Sequence, residues 1–251
     1  MTDEFPHYIE FRHVGKTFDN PVLVDSNFHL DGGQTVAIIG RSGVGKSVSL
    51  NLIMGFLKAD SGQVIVAHED VTGFTENQMR KVRKKVTMVF QSGALFDSQT
   101  VGENILASLE QREDYDDQSK EDVVDGLLKM VGIGDARNTY PADLSTGYRR
   151  AVAIARAIAA QPQCILYDEP TTMVDPIMSD QMMDLMLRLK NQLKLTSLVV
   201  THDLDLMRRL ADRVVFLFKG NVIFFGPPDD LAHSGNPDIE EFLEMDRVLR
   251  P

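Results

Sequence analysis

The run Thr35-Val36-Ala37-Ile38-Ile39 passes directly into Gly40-Arg41-Ser42-Gly43-Val44-Gly45-Lys46-Ser47. The first part is nearly continuous apolar and ends at a glycine, the pattern of a strand buried on both faces. The second fits glycine, any four residues, then Gly-Lys-Ser, the pattern of a phosphate-binding loop. Glycines let such a backbone fold into a nest of N–H groups aimed at phosphate. Lys46 adds a charge for β and γ phosphates, and the Ser47 hydroxyl can ligate magnesium. A helix is expected over 46–57, which would seat phosphate at a helix N-terminus. A chance glycine-rich turn is the bland alternative, but strand, loop and helix together point to nucleotide binding.

Outward from this stretch, three further apolar runs read as buried strands: 86–90, 164–167 and 197–201. Helical patterns fall between them, notably 149–160 and 180–195. Strands alternating with helices predict an α/β fold with a mostly parallel sheet. Before and around the loop, 8–12, 26–30 and 63–66 alternate in polarity and are divided by Asp31-Gly32-Gly33 and Asp60-Ser61-Gly62. These predict an antiparallel layer. Residues 92–161 break the alternation and read as an inserted α-helical subdomain, with acidic Glu113, Asp114, Asp116, Asp117, Glu121 and Asp122 in its middle. The expected organisation is one domain: a core over 1–91 and 162–235, the helical part over 92–161, and a helical tail over 236–251. In that tail Ile239, Phe242 and Leu243 share one face.

Composition excludes several classes. Lys and Arg number 26 against 37 Asp and Glu, a net charge of -11, so nucleic acid is not an expected partner. A single cysteine, Cys164, excludes an intramolecular disulfide and a cysteine-based zinc site. The acidic start lacks the apolar stretch of a secretory signal. Nothing in the sequence approaches the apolar length that a membrane-spanning helix requires.

Chemistry-bearing residues recur at the ends of the buried runs. Cys164-Ile165-Leu166-Tyr167 ends in Asp168-Glu169. In a phosphate-loop protein Asp168 would hold the magnesium shell, and Glu169 could polarise an attacking water. His202 follows the 197–201 run and Gln91 follows 86–90, both at the edge where ligands of open α/β sheets collect. Leu144-Ser145-Thr146-Gly147-Tyr148 opens the 149–160 helix and offers a second anion site, with a plain N-cap as the competing reading.

Taken in order, the loop, Gln91, the Leu-Ser-x-Gly element, Asp168-Glu169 and His202 resemble ABC-transporter ATPase subunits over almost the whole chain. The resemblance implies a RecA-like P-loop NTPase core, ATP and Mg2+ as cofactors, and ATP hydrolysis coupled to transport. It implies that Gly40, Arg41, Ser42, Gly43, Val44, Gly45, Lys46, Ser47 and Val48 cradle ATP, while Phe18 stacks on adenine. Ser47, Gln91 and Asp168 would hold magnesium, Glu169 would act as base, and His202 would contact the γ-phosphate. Two chains would bind head to tail through ATP, with Ser145 and Gly147 of one clamping the nucleotide of the other and Asp175 at their interface. A transmembrane permease would dock near 91–104, placing the chain at the cytoplasmic face of a bacterial inner membrane.

A narrower resemblance is carried by Phe90-Gln91-Ser92-Gly93-Ala94-Leu95-Phe96-Asp97, by Thr100-Val101-x-Glu103-Asn104 and by Asp175-Pro176-Ile177. The ending from Gly226-Pro227-Pro228 through Asn236-Pro237 to Phe242-Leu243 agrees. These look like the ATPases of Mla/Mce phospholipid transport systems, which implies an Mce-domain lipid-binding partner and in some systems a STAS-domain protein. The alternatives are an importer ATPase for another cargo, such as an amino acid or osmolyte, and a soluble ABC protein acting as an assembly or switch module. Thr146 and Tyr148 depart from the signature's usual Gly and Gln, and Met173-Val174 is unusual beside Asp175.

Other features read as structure. Met178, Met182, Met183 and Met186 suit adaptable packing better than a copper site, and Met182, Met186, Leu189 and Leu193 form a core stripe. The basic run over 80–85 reads as a solvated helix face, with contact to lipid headgroups as the rarer alternative. The acidic stretch lacks calcium-loop spacing.

Overall fold

A computed structural model describes residues 5–109 and 116–249. Glu113 and Asp114 of the acidic stretch lie outside these, as do the ends of the chain. Strands β1 (Ile9–Thr17) and β2 (Pro21–Leu30) pair antiparallel, with Phe11 opposite Phe28 and their rings stacked at 4.5 Å. Next come β3 (Thr35–Ile39), α1 (Lys46–Ile53), β4 (Ser61–Val66) and β5 (Glu69–Asp70). Helix α2 (Glu76–Arg83) leads into β6 (Val86–Val89). Helices α3 (Val101–Leu106), α4 (Asp117–Met130) and α5 (Thr146–Ala159) then follow, with no strand among the described residues between them. The chain continues through β7 (Cys164–Asp168), α6 (Pro176–Leu193), β8 (Thr196–Val200) and α7 (Leu204–Leu210). It closes with β9 (Arg213–Phe218), β10 (Asn221–Gly226), α8 (Pro228–Leu231) and α9 (Pro237–Leu249).

Two sheets result. One is antiparallel, in the order β2-β1-β4-β5; the other runs β10-β9-β3-β8-β7-β6 and is parallel except at the β10 edge. Alternation along β7 divides the core: Cys164 and Leu166 face the antiparallel layer and α1, while Ile165 and Tyr167 face α5 and α6. A smaller cluster joins Ile39 and Phe216 to Leu204 and to Ile239 of α9. The α/β fold, the antiparallel layer and the helical insertion thus match the expectation, and parallel pairing gathers Gly40, Gln91, Glu169 and His202 at one edge.

Differences from the sequence reading have local causes. α1 stops at Ile53, short of residue 57, because Gly55 turns the chain with φ 67°. Met182, Met186 and Leu189 are buried, but Leu193 is 47% exposed where Lys194 ends α6 in the left-handed region. The insertion also contains two 3-10 turns, Gly134–Ala136 and Pro141–Asp143. Ahead of α3, fully buried Asn104 holds the loop by donating to the carbonyls of Phe96, Gln99 and Thr100. In the basic run Val82 is buried, Arg83 pairs with Glu76 and Lys85 with Glu69, leaving Arg80, Lys81 and Lys84 exposed. Strands β9 and β10 and helix α7 were not read from the sequence, although 213–218 is almost wholly apolar.

Cys164 has no exposed surface, and burial pushes its thiol far above the ordinary cysteine range. The native protein should therefore leave a disulfide-exchange thiol reagent unreacted. Denaturation should release one equivalent, followed by absorbance.

Candidate functional site

The loop between β3 and α1 holds its shape because glycine is required in it. Gly40 has φ 149°, and a Cβ there would meet the Leu217 carbonyl oxygen at 2.3 Å. Gly45, at φ 107°, caps α1 without a side chain, and a Cβ on it would lie 2.9 Å from the Val22 carbonyl oxygen. Gly43 is also left-handed at φ 79°, with open space where a side chain would begin.

Lys46 is 7% exposed and folds back along the loop, donating to the carbonyls of Gly40 at 2.9 Å and Arg41 at 3.1 Å. Its ammonium lies 3.7 Å from Glu169 Oε1. Burial pulls its pKa below the usual lysine value, and the Glu169 carboxylate opposes that shift. Beside it the Ser47 hydroxyl donates to Asp168 Oδ1 at 3.0 Å. Burial raises Asp168 above the ordinary carboxylate range, against the Ser47 hydrogen bond. A desolvated carboxylate paired with a hydroxyl is a set of hard oxygen donors that suits magnesium, which Ser47 and Asp168 could hold. Magnesium bound there would offset the charge of phosphate oxygens.

Glu169 follows β7 in the left-handed region, φ 47°, pinned by its N–H to the Val200 carbonyl at 2.8 Å. Its Oε2 accepts from the Thr172 hydroxyl at 2.9 Å and lies 2.9 Å from His202 Nδ1. A carboxylate steered by two neighbours at the mouth of an anion cradle can orient a water toward phosphorus.

Lys46, Ser47, Glu169, Thr172 and His202 line a cavity of about 640 Å³ together with Arg41, Ser42, Val48 and Gln91; Asp168 is not in the lining and meets it through its bond to Ser47. Val44 packs its side chain against the core beside Gly40 and is not among the cavity's lining residues, so any part it takes in the cradle falls to its backbone. Phe18 is 52% exposed beneath the Lys16 ammonium and is also outside the lining. Ser145 caps α5, its hydroxyl accepting from the Tyr148 N–H at 3.3 Å. Gly147 is buried where a Cβ would lie 2.1 Å from Met178 Cγ. Asp175 caps α6 by accepting from the Met178 N–H at 3.0 Å. None of these three reaches the cavity of its own chain.

Sequence reasoning missed Val22, Thr172 and Phe242 in the cavity wall. Thr172 had a signal, since it stands three residues beyond Glu169. Phe242 had none locally: α9 brings it there, and Glu241 on the same helix pairs with Arg41 at 2.9 Å.

Residues 23–172 match the family described as ABC transporter. The chain is 36% identical over 244 residues to methionine import ATP-binding protein MetN 1 of Pseudomonas savastanoi pv. phaseolicola, covering 95% of this chain and 73% of that protein. It is 34% identical to MetN 1 of Yersinia pestis bv. Antiqua, covering 94% and 70%. Among solved structures it superimposes with TM-score 0.81 on a dimeric ATP-binding cassette in a post-hydrolysis state with ADP and phosphate, at 29% identity over 88% of this chain and 98% of that one. CbiO1 from Clostridium perfringens, part of the ABC transporter complex CbiONQ, gives TM-score 0.83 at 25% identity over 98% and 96%.

Replacing Gly40 by Ala drives a methyl into a backbone carbonyl, so Gly40→Ala should destabilise the fold by about 2–4 kcal/mol in urea unfolding.

Proposed function

This chain belongs to the ABC transporter family, and on that premise we propose that it is the ATP-hydrolysing motor of an importer for a small solute of the amino-acid kind. The chain is an ATPase that binds ATP with magnesium. The observation that carries the reading is one cavity edge on which Lys46, the Ser47–Asp168 pair and the Glu169–His202 pair converge. The importer cargo is supported by the methionine import proteins among the relatives. Lipid cargo, expected from the resemblance over 90–104, is replaced as the main reading: these relatives lend it no support, nor an Mce-domain or STAS-domain partner.

In this reading the loop amides and Lys46 hold the β and γ phosphates, Ser47, Asp168 and Gln91 serve magnesium, and His202 meets the γ-phosphate. Glu169 orients the attacking water. Phe18 stacks on adenine at the open side of the cavity. Ser145, Gly147 and Asp175, displaced from their own chain's cavity, act on the nucleotide of a second copy bound head to tail. No helix among the described residues is long and apolar enough to cross a membrane. By its likeness to transporter subunits, this chain works against a permease chain at the cytoplasmic face of the inner membrane.

Glu169→Gln keeps the shape of the side chain and removes the base. Turnover should fall by about 10²–10³ while nucleotide binding persists, and turnover equal to wild type would remove the assignment. Lys46→Ala should abolish nucleotide binding in a fluorescent-ATP titration. Cargo is decided in proteoliposomes holding the complex captured from membranes: ATP-dependent uptake of labelled methionine supports the importer, and ATP-dependent movement of labelled phospholipid without uptake restores the lipid reading.

A further inference from the structure

Arg150, on α5, is the largest fully buried side chain among the described residues, at 1% exposure. A guanidinium does not shed its proton, so a chain keeps one at this depth only where its hydrogen bonds matter. Along the same helix Val152 and Ile154 show that an aliphatic side chain fills such a position readily. Two of its nitrogens are used. Nε donates to the Gln91 carbonyl at 3.1 Å, and Nη1 donates to the Pro170 carbonyl at 2.6 Å. Nη2 has no hydrogen-bond partner among the described residues.

The two acceptors are informative. Gln91 is among the residues lining the cavity, and Pro170 directly follows Glu169. The helix that carries Arg150 begins at the Ser145 cap. One planar fork therefore spans the backbone behind Glu169 and the backbone of Gln91, and it is anchored on the element that presents Ser145 and Gly147. Lysine, with a point charge and no fixed fork, would not hold two carbonyls in one plane.

We infer that Arg150 is a positioning residue that sets the spacing of Glu169 and Gln91 across the cavity and ties both to α5. The inference rests on the ATPase reading. It adds a mechanical link between the base of one site and the helix start proposed to clamp the partner's nucleotide. A displacement of about 1 Å at a reacting centre is enough to cost two orders of magnitude in rate, so the link acts on turnover more than on binding.

The test compares wild type, Arg150→Gln and Arg150→Lys as full chains, reading ATP hydrolysis against ATP concentration, fluorescent-ATP affinity and thermal unfolding. In Arg150→Gln, kcat should fall at least about tenfold while KM and nucleotide affinity stay within about threefold; Arg150→Lys should lie between. Wild-type kcat in either variant overturns the inference, as does a loss of affinity as large as the loss of turnover. Where Arg150→Gln does not fold, Arg150→Lys carries the test alone, reduced kcat supporting the inference and unchanged kcat overturning it. A wild type without turnover overturns the ATPase reading and the inference with it, whereas an active wild type matched by both variants overturns only the role of Arg150.

Discussion

Parallel pairing sends the carboxyl ends of neighbouring strands out of the same edge of a sheet, and in this chain the chemistry hangs from that edge. β3 pairs with β8, β8 with β7 and β7 with β6, with Ile38 opposite Val200, Val200 opposite Asp168 and Val89 opposite Tyr167. A slip of one residue in any of these ladders would exchange the core faces of β7 and swing the Asp168-Glu169 step away from the loop. Register in the buried sheet is thus the condition on which the Ser47–Asp168 and Lys46–Glu169 contacts depend.

The second condition is electrostatic. A chain with net charge -11 holds a desolvated lysine at the base of a glycine-lined cradle, where Glu169 and Asp168 oppose the loss of its charge. Burial likewise lowers the Arg150 pKa, and the Glu169 carboxylate opposes that shift too. Lys46 and the glycine-lined loop thus place positive charge locally where a polyanion would enter. The overall acidity and the local preference for phosphate are therefore compatible.

Much of the site was legible in the sequence because its signals are local. A glycine-rich loop between an apolar strand and a helix, or two carboxylates ending an apolar run, need only a few consecutive residues to be recognised. Ser145 and Asp175 show where local signals become ambiguous. Both are ordinary helix N-caps in the isolated fold, accepting from backbone N–H groups within their own helices. Gly147 has a packing reason in Met178 beside the role proposed for it across a dimer. Val44 shows that a residue inside the motif can also give its side chain to the core.

The sequence by itself determined the strand, the loop, the acidic pair and the family they belong to, because polarity pattern and glycine placement dictate backbone shape over short spans. Only the tertiary structure decided which distant side chains share that space. It brought Phe242 and Glu241 of α9 to the loop, placed Val22 in the wall, left Phe18 outside it, and buried Arg150 between two loops. These meetings arise from strand order and helix packing across long separations in the chain, and no run of consecutive residues encodes them.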